Sequence, residues 1–191
     1  MEIIVATNNN GKVKEINDIL KGYKLSSLAD INLDIDVVED GNTFEENASK
    51  KAREIALITH KPCLADDSGL CVDALDGFPG VQTKRFLGPN FSDDDRNMCI
   101  IDKLNGLEKS KRTAKVVTCI AISNGNKTIC DRGEIEGYIA LSPRGSNGFG
   151  FDNIFELPNG KTLAELNSDE KNSLSSRKLA CEKIREKLKD F

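Results

Sequence analysis

In the run Leu64-Ala65-Asp66-Asp67-Ser68-Gly69-Leu70, two adjacent carboxylates follow a short apolar stretch and precede a Ser-Gly pair. The apolar stretch predicts a buried strand, and Ser-Gly predicts a sharp turn at its end. Acidic side chains at the end of a buried strand are costly unless a cation or a proton relieves them. Asp-Ser-Gly clusters also build ordinary turns, so this run alone fits either a turn or a site.

Three other stretches carry polar chemistry. Thr7-Asn8-Asn9-Asn10-Gly11-Lys12 lies between an apolar run and a helical one. Backbone N–H groups at a helix start, with a lysine beside them, suit a phosphate. The spacing is not that of a Walker loop, and the same residues equally make a polar connection with an Asn cap. A second acidic cluster, Glu39-Asp40-Gly41-Asn42-Thr43-Phe44-Glu45-Glu46-Asn47-Ala48, sits just ahead of a helix, where acids and a cap are also ordinary. Gly145-Ser146-Asn147-Gly148-Phe149-Gly150-Phe151-Asp152 is a glycine-rich loop whose rings could stack on a base. A mobile surface loop is the alternative, although two exposed phenylalanines would be unusual in one.

The single histidine, His60, falls at a predicted helix end, where its role is structural. Hydrolysis built on a histidine base is therefore not expected, and chemistry must run on carboxylates, lysines and a metal. The six cysteines are scattered without a C-x-x-C pair, which speaks against zinc and against a disulfide framework.

The elements that must position these groups alternate between strand and helix. Glu2–Ala6 reads as a strand, and Val13, Ile16, Ile19 and Leu20 follow helical spacing. Tyr23–Leu28 is a second strand. Thr43, with Glu46 three residues on, opens a helix whose buried face is Phe44, Ala48, Ala52, Ile55 and Ala56. Pro62–Ala65 is the strand that feeds the acidic pair. Ser92 caps a helix beginning Asp93-Asp94-Asp95, and these acids serve its N-terminus in preference to a metal. Thr113–Ser123 and Lys127–Ala140 form a hairpin around Asn124-Gly125. A last helix carries Leu174, Cys181, Ile184 and Leu188 on one face.

The 191 residues, 38% hydrophobic and 30% charged, fit one globular domain over residues 1–191 or two closely packed lobes. A net charge of −4 gives no bulk attraction to nucleic acid. The start, Met1-Glu2-Ile3-Ile4-Val5, lacks a basic, long apolar leader, and no stretch approaches membrane-spanning length. A cytoplasmic protein without nucleic-acid or membrane partners is the expectation.

Six motifs occur in one order: Thr7-Asn8-Asn9…Lys12; Glu39-x-Gly41-x-Thr43-Phe44-x-Glu46-Asn47-Ala48…Lys51-Ala52; Ala65-Asp66-Asp67-Ser68-Gly69-Leu70; Gly77-x-Pro79-Gly80-Val81…Arg85-Phe86; Phe149-Gly150-Phe151-Asp152; and Thr162-x-Ala164-Glu165-Leu166…Glu170-Lys171-Asn172…Ser175-x-Arg177. Together they resemble the inosine/xanthosine triphosphate pyrophosphatase family, from residue 3 to about residue 180. The resemblance implies an elongated α/β fold, with a mixed central sheet flanked by helices. It implies two lobes with a nucleotide-binding cleft between them, and a homodimer. The implied activity is Mg²⁺-dependent hydrolysis of ITP, dITP and XTP to the monophosphate and pyrophosphate, which removes deaminated purines from the nucleotide pool.

Carried over by position, the resemblance makes Glu39 and Asp67 the metal-binding acids, Asp67 also the general base, and Asp66 a second carboxylate that orients the water. It assigns Lys12, Lys51 and Lys171 to the phosphates, with Thr7, Asn8, Asn9, Asn10 and Gly11 contacting substrate from the first loop, and Ser68 as a further contact. Phe149 would stack on the purine within the base-binding segment completed by Gly150, Phe151 and Asp152. Arg177 and Arg85 would read the base. A donor aimed at the 6-oxo oxygen of hypoxanthine or xanthine rejects adenine, whose 6-amino group leaves it unpaired. The chain departs from the family at Ser176, which replaces a base-binding histidine, and at Asn153, which replaces a proline. Three alternatives compete with it: a catalytically weak nucleotide sensor, a pyrophosphatase for modified pyrimidine or guanosine nucleotides, and a phosphate-blind interaction protein.

Overall fold

A computed structural model describes residues 2–7, 9–188 and 191 of the chain. The apolar start forms β1 (Glu2–Val5), with Ile3, Ile4 and Val5 buried. β2 (Lys24–Ser27) and β3 (Cys63–Val72) both pair with it in parallel. Parallel neighbours need crossover connections, which α1 (Asn10–Ile19) and α2 (Phe44–Thr59) supply. β4 (Thr113–Ser123) and β5 (Thr128–Ile139) make the hairpin, closed at Asn124-Gly125 by a 3.1 Å bond from Asn124 N–H to the Lys127 carbonyl. β6 (Phe155–Glu156) adds antiparallel to β5, so the sheet runs β2-β1-β3-β4-β5-β6. The class is the expected one, mixed α/β with a central sheet and flanking helices.

Three further helices complete the fold. α3 (Asp93–Lys103) starts with a complete capping box between Ser92 and Asp95, so the acids there serve the helix terminus. α4 (Ser168–Leu174) and α5 (Ser176–Lys187) are separate helices, divided at Ser175, which caps α5. The expected single C-terminal helix therefore divides. Leu174 ends α4 about half exposed, while Cys181, Ile184 and Leu188 are buried along or just beyond α5. His60 ends α2 in a left-handed conformation, exposed to solvent.

The chain resolves into two compact units. The first comprises Met1–Ser68, Thr118–Glu134 and Ser175–Phe191, and the second Gly69–Val117 and Ile135–Leu174. In the first, Ile3, Val5, Leu64, Ile120 and Ile122 of the sheet pack with Ile16 of α1 and Ile184 of α5. Gly133 on β5 permits the close approach of α5, since a Cβ there would stand 2.1 Å from the Ser176 carbonyl. In the second, Leu70, Val116, Ile139 and Phe155 form a core with Ile100 and Leu104. The cysteines are six free thiols, three of them buried. Among the described residues, no helix is long and apolar enough to cross a membrane.

One local expectation is overturned. Asp66-Asp67-Ser68-Gly69 is no turn: β3 continues through it to Val72. The turn preference of Asp, Ser and Gly yields to strand pairing and burial on both sides of the segment.

Candidate active site

Side chains alternate along a strand, so neighbours on β3 face opposite ways. Leu64 and Asp66 share the face covered by α1 and α5, and Asp67 turns toward α2. The two carboxylates, adjacent in sequence, therefore meet different chemistry.

Asp66 is almost fully buried but surrounded by cations. Its Oδ2 lies 2.9 Å from Lys12 Nζ and 3.1 Å from Arg177 Nη2. Burial alone would raise its pKa. Lys12, Arg177 and Lys51 outweigh burial and hold the carboxyl well below the usual carboxylate range. Arg177 also pairs with Glu15 of α1 and donates to Ser68 Oγ at 3.3 Å. Burial, with the positive charges of Arg177 and Lys51, pushes the Lys12 ammonium below its usual range, against the pull of Asp66. Asp66 Oδ1 is buried without a hydrogen-bond partner.

Asp67 has the opposite character. Burial first, and then the nearby Glu39 carboxylate, raise its pKa above the ordinary value. Its Oδ2 accepts from Asn47 Nδ2 at 2.9 Å. Glu39 is paired with Lys51, whose Nζ also donates to the Asp66 carbonyl at 3.0 Å. Desolvation works against the Lys51 charge, but Asp66 and Glu39 overcome it and raise its pKa. Glu39 and Asp67, two hard carboxylates near enough to repel each other, are donors of the kind a small divalent cation such as Mg²⁺ takes, and among the described residues no third acid, histidine or cysteine joins them.

The first loop closes on itself. Asn9 caps α1, its Oδ1 accepting from the N–H of Gly11 at 2.9 Å and of Lys12 at 3.3 Å, and its own N–H donates to Thr7 Oγ1. Those backbone donors are thus engaged by Asn9, while Asn10 is exposed at the helix start. Asn8 lies outside the described residues. Ser176 is buried, its hydroxyl 2.8 Å from that of Thr118 on β4.

The structure gathers Thr7, Asn9, Asn10, Gly11, Lys12, Glu39, Lys51, Asp66, Asp67, Ser68, Ser176 and Arg177 in the first unit. Arg85, Phe149, Gly150, Phe151, Asp152 and Lys171 belong to the second. There Asp152 Oδ2 accepts from the Phe149 N–H at 2.8 Å and from Lys171 Nζ at 2.7 Å. Lys171 Nζ stands 4.5 Å from the centre of the Phe149 ring, a cation–π distance. Phe151 packs on the core of its unit, and Arg85 follows a short 3₁₀ turn. Asn97 of α3 holds this loop, donating to the Gly150 carbonyl at 2.7 Å and to Asn153 Oδ1 at 2.8 Å.

Glu15, Asn97 and Thr118 are contacts the sequence did not single out, and Asn47 stood in a motif without a role. Asn47 left a trace: it interrupts the apolar stripe Phe44, Ala48, Ala52 and Ile55 of α2 with a buried amide. Glu15 sits likewise beside Ile16 on the buried side of α1.

The sequence matches the Ham1 family over residues 3–187. The chain belongs to the Ham1 family. It is 46% identical over 187 residues to the dITP/XTP pyrophosphatase of Bacillus subtilis (strain 168), covering 96% of this chain and 94% of that protein. The Geobacter sulfurreducens dITP/XTP pyrophosphatase is 46% identical over 190 residues, covering 97% and 96%. Among solved Ham1 structures, that of the Staphylococcus aureus protein superposes with a TM-score of 0.88 at 36% identity, covering 100% of this chain and 99% of its own. A dITP/XTP pyrophosphatase from Mycobacterium abscessus gives a TM-score of 0.77 at 37% identity, covering 96% and 98%.

Proposed function

We propose that this Ham1-family chain hydrolyses noncanonical purine nucleoside triphosphates (ITP, dITP and XTP) to the monophosphate and pyrophosphate, with Mg²⁺ as cofactor. The observation that carries the reading is the opposed pair on β3: Asp66 held anionic by Lys12 and Arg177, and Asp67 raised beside Glu39. A base that takes a proton from water works best when its pKa is lifted toward the working pH. Asn47 holds Oδ2 of Asp67, which leaves Oδ1 the freer oxygen to take the proton.

A triphosphate carries about four negative charges, and its hydrolysis depends on charge relief and alignment. Lys12 and Lys51 are partly buried cations already beside the acids, positioned to exchange part of their carboxylate pairing for phosphate oxygens. Glu39 and Asp67 would hold the Mg²⁺, which supplies charge neutralisation on the phosphates and polarises oxygen ligands. Two protein carboxylates with the rest of the shell from water and phosphate is the usual Mg²⁺ arrangement. Recognition of the base falls to Phe149, Gly150, Phe151 and Asp152, with Arg177 and Arg85 as further base contacts, and Lys171 is kept for the phosphates. The same reading includes a cytoplasmic homodimer.

The test is pyrophosphate release from ITP, XTP, GTP and ATP, with Mg²⁺ and with chelator. Release that needs Mg²⁺ and is fastest for ITP and XTP is expected. Equal rates on GTP and ATP, or no release, would refute the reading.

A further inference from the structure

Asn47 is 1% exposed, yet it is a polar residue on the buried stripe of α2. A buried amide persists where its hydrogen bonds are met, and here both ends are. Nδ2 donates to Asp67 Oδ2 at 2.9 Å, and Oδ1 accepts from the Gly41 N–H at 2.8 Å. A backbone N–H only donates and a carboxylate only accepts, so these partners allow one orientation of the amide. The segment it grips is packed tightly. A Cβ on Gly41 would lie 2.7 Å from Asn47 Oδ1 and 2.8 Å from Glu46 Cβ. Glu46 Oε2 accepts from the Asn42 N–H at 2.7 Å, and Thr43 Oγ1 accepts from the Glu46 N–H at 3.1 Å. Glu39 stands two residues before Gly41. Lys51, one turn further along α2, holds the Glu39 carboxylate and the Asp66 carbonyl.

We infer that Asn47 is a positioning residue that sets the two metal-binding acids against each other, orienting the Asp67 carboxylate with one end of its amide and fixing the Glu39 segment through Gly41 with the other. The inference rests on the reading of Glu39 and Asp67 as the Mg²⁺ ligands. Residues that orient ligands in this way tune metal affinity without touching the ion.

The experiment compares wild type, Asn47→Ala and Asn47→Asp as full-length chains. Mn²⁺ is titrated into nucleotide-free protein and the free ion followed by electron paramagnetic resonance. Pyrophosphate release from ITP is measured at saturating Mg²⁺, and folding is checked by thermal melting. For Asn47→Ala the expected result is Mn²⁺ affinity and kcat each lower by about 10–100-fold, with KM for ITP moved less than about threefold. Asn47→Asp keeps the acceptor for Gly41 and loses the donor to Asp67. It also sets a carboxylate against that of Asp67, so its melting temperature should fall in chelator, while kcat stays low by about tenfold or more. If Asn47→Ala does not fold, Asn47→Asp decides alone, and a wild-type kcat there overturns the inference. A lowered melting temperature with unchanged Mn²⁺ affinity and kcat in Asn47→Ala also overturns it, leaving a purely structural amide. Wild-type protein that binds no Mn²⁺ defeats it together with the metal reading. Conversely, Mn²⁺ affinity that depends on Asn47 in a protein releasing no pyrophosphate defeats the hydrolase reading and leaves the positioning role standing.

Discussion

The hydroxyls of Thr118 and Ser176 lie 2.8 Å apart, both out of reach of solvent, and join strand β4 to the first turn of α5. Ser176 therefore fastens the helix that carries Arg177, although the position is one where a base contact was anticipated. Removing one partner strands the other in a dry site, at a cost of about 1–3 kcal/mol. Ser176→Ala and Thr118→Val should each lower the unfolding free energy by about that much, and the double variant by less than the sum. Urea denaturation of the four proteins measures the coupling. The ratio of ITP to GTP turnover should not move in Ser176→Ala, and a tenfold drop in it would return Ser176 to the base.

The neighbouring aspartates should answer opposite ways to loss of charge. Asp66→Ala abandons Lys12 and Arg177 inside the protein, and breaking such buried pairs costs about 3–5 kcal/mol. Asp67→Asn instead removes a charge that burial and Glu39 oppose, so the metal-free protein should be at least as stable as wild type. Its turnover should fall about 10²–10⁴-fold, the usual contribution of a general base. Melting curves in chelator and pyrophosphate release check both halves.

Asn153 stands where the family has proline, and the side chain supplies a tether of its own. With Asn97 joining Asn153 to the Gly150 carbonyl, the loop bearing Phe149 is held by hydrogen bonds in place of a fixed φ. Asn97→Ala should free that loop and raise KM for ITP by about 3–10-fold with a smaller change in kcat, as expected when the binding-competent state becomes a fraction of the population. Steady-state kinetics at saturating Mg²⁺ measure it, and an unchanged KM would mean that the loop is ordered by other contacts.

The start of β1 should respond to acid. Hydrogen bonds first from Lys61 and then from Lys24 hold the Glu2 carboxyl down at about 2, below its ordinary 4.5. A folded-state value below the unfolded one adds stability above pH 4.5 and loses it as pH falls from there toward 2. Glu2→Gln should thus differ from wild type at neutral pH, by a small amount for so exposed a pair. The two should converge near pH 2. Denaturation midpoints across that range check the sign.

How far the fold could be read in advance depended on whether the signal was local. Asn124-Gly125 and the Ser92 and Thr43 caps declare themselves because each completes its own hydrogen bonds within a few residues. Asp66-Asp67-Ser68-Gly69 misled for the same reason: its local preference is a turn, and only pairing with distant strands keeps it extended. The acids and lysines of the site stood out by type. Their division into a neutralised and a strained carboxylate did not, since it depends on Arg177, more than a hundred residues away from Asp66. Leu174 fitted the spacing of the last helix, and the Ser175 cap that ends that continuity offers no break in the apolar period.

The alternation along β3 makes the chemistry a matter of parity. An even-numbered position in this stretch of the strand meets lysine and arginine, and the odd one after it meets an amide and another acid. A substitution at Ala65 changes volume and leaves this assignment alone. A single-residue deletion between Cys63 and Asp66 would exchange the two environments for every residue beyond it, if the pairing register held. The stretch should therefore accept changes of residue far more readily than changes of length. A deep scan that included one-residue insertions and deletions would find its sharpest boundary here.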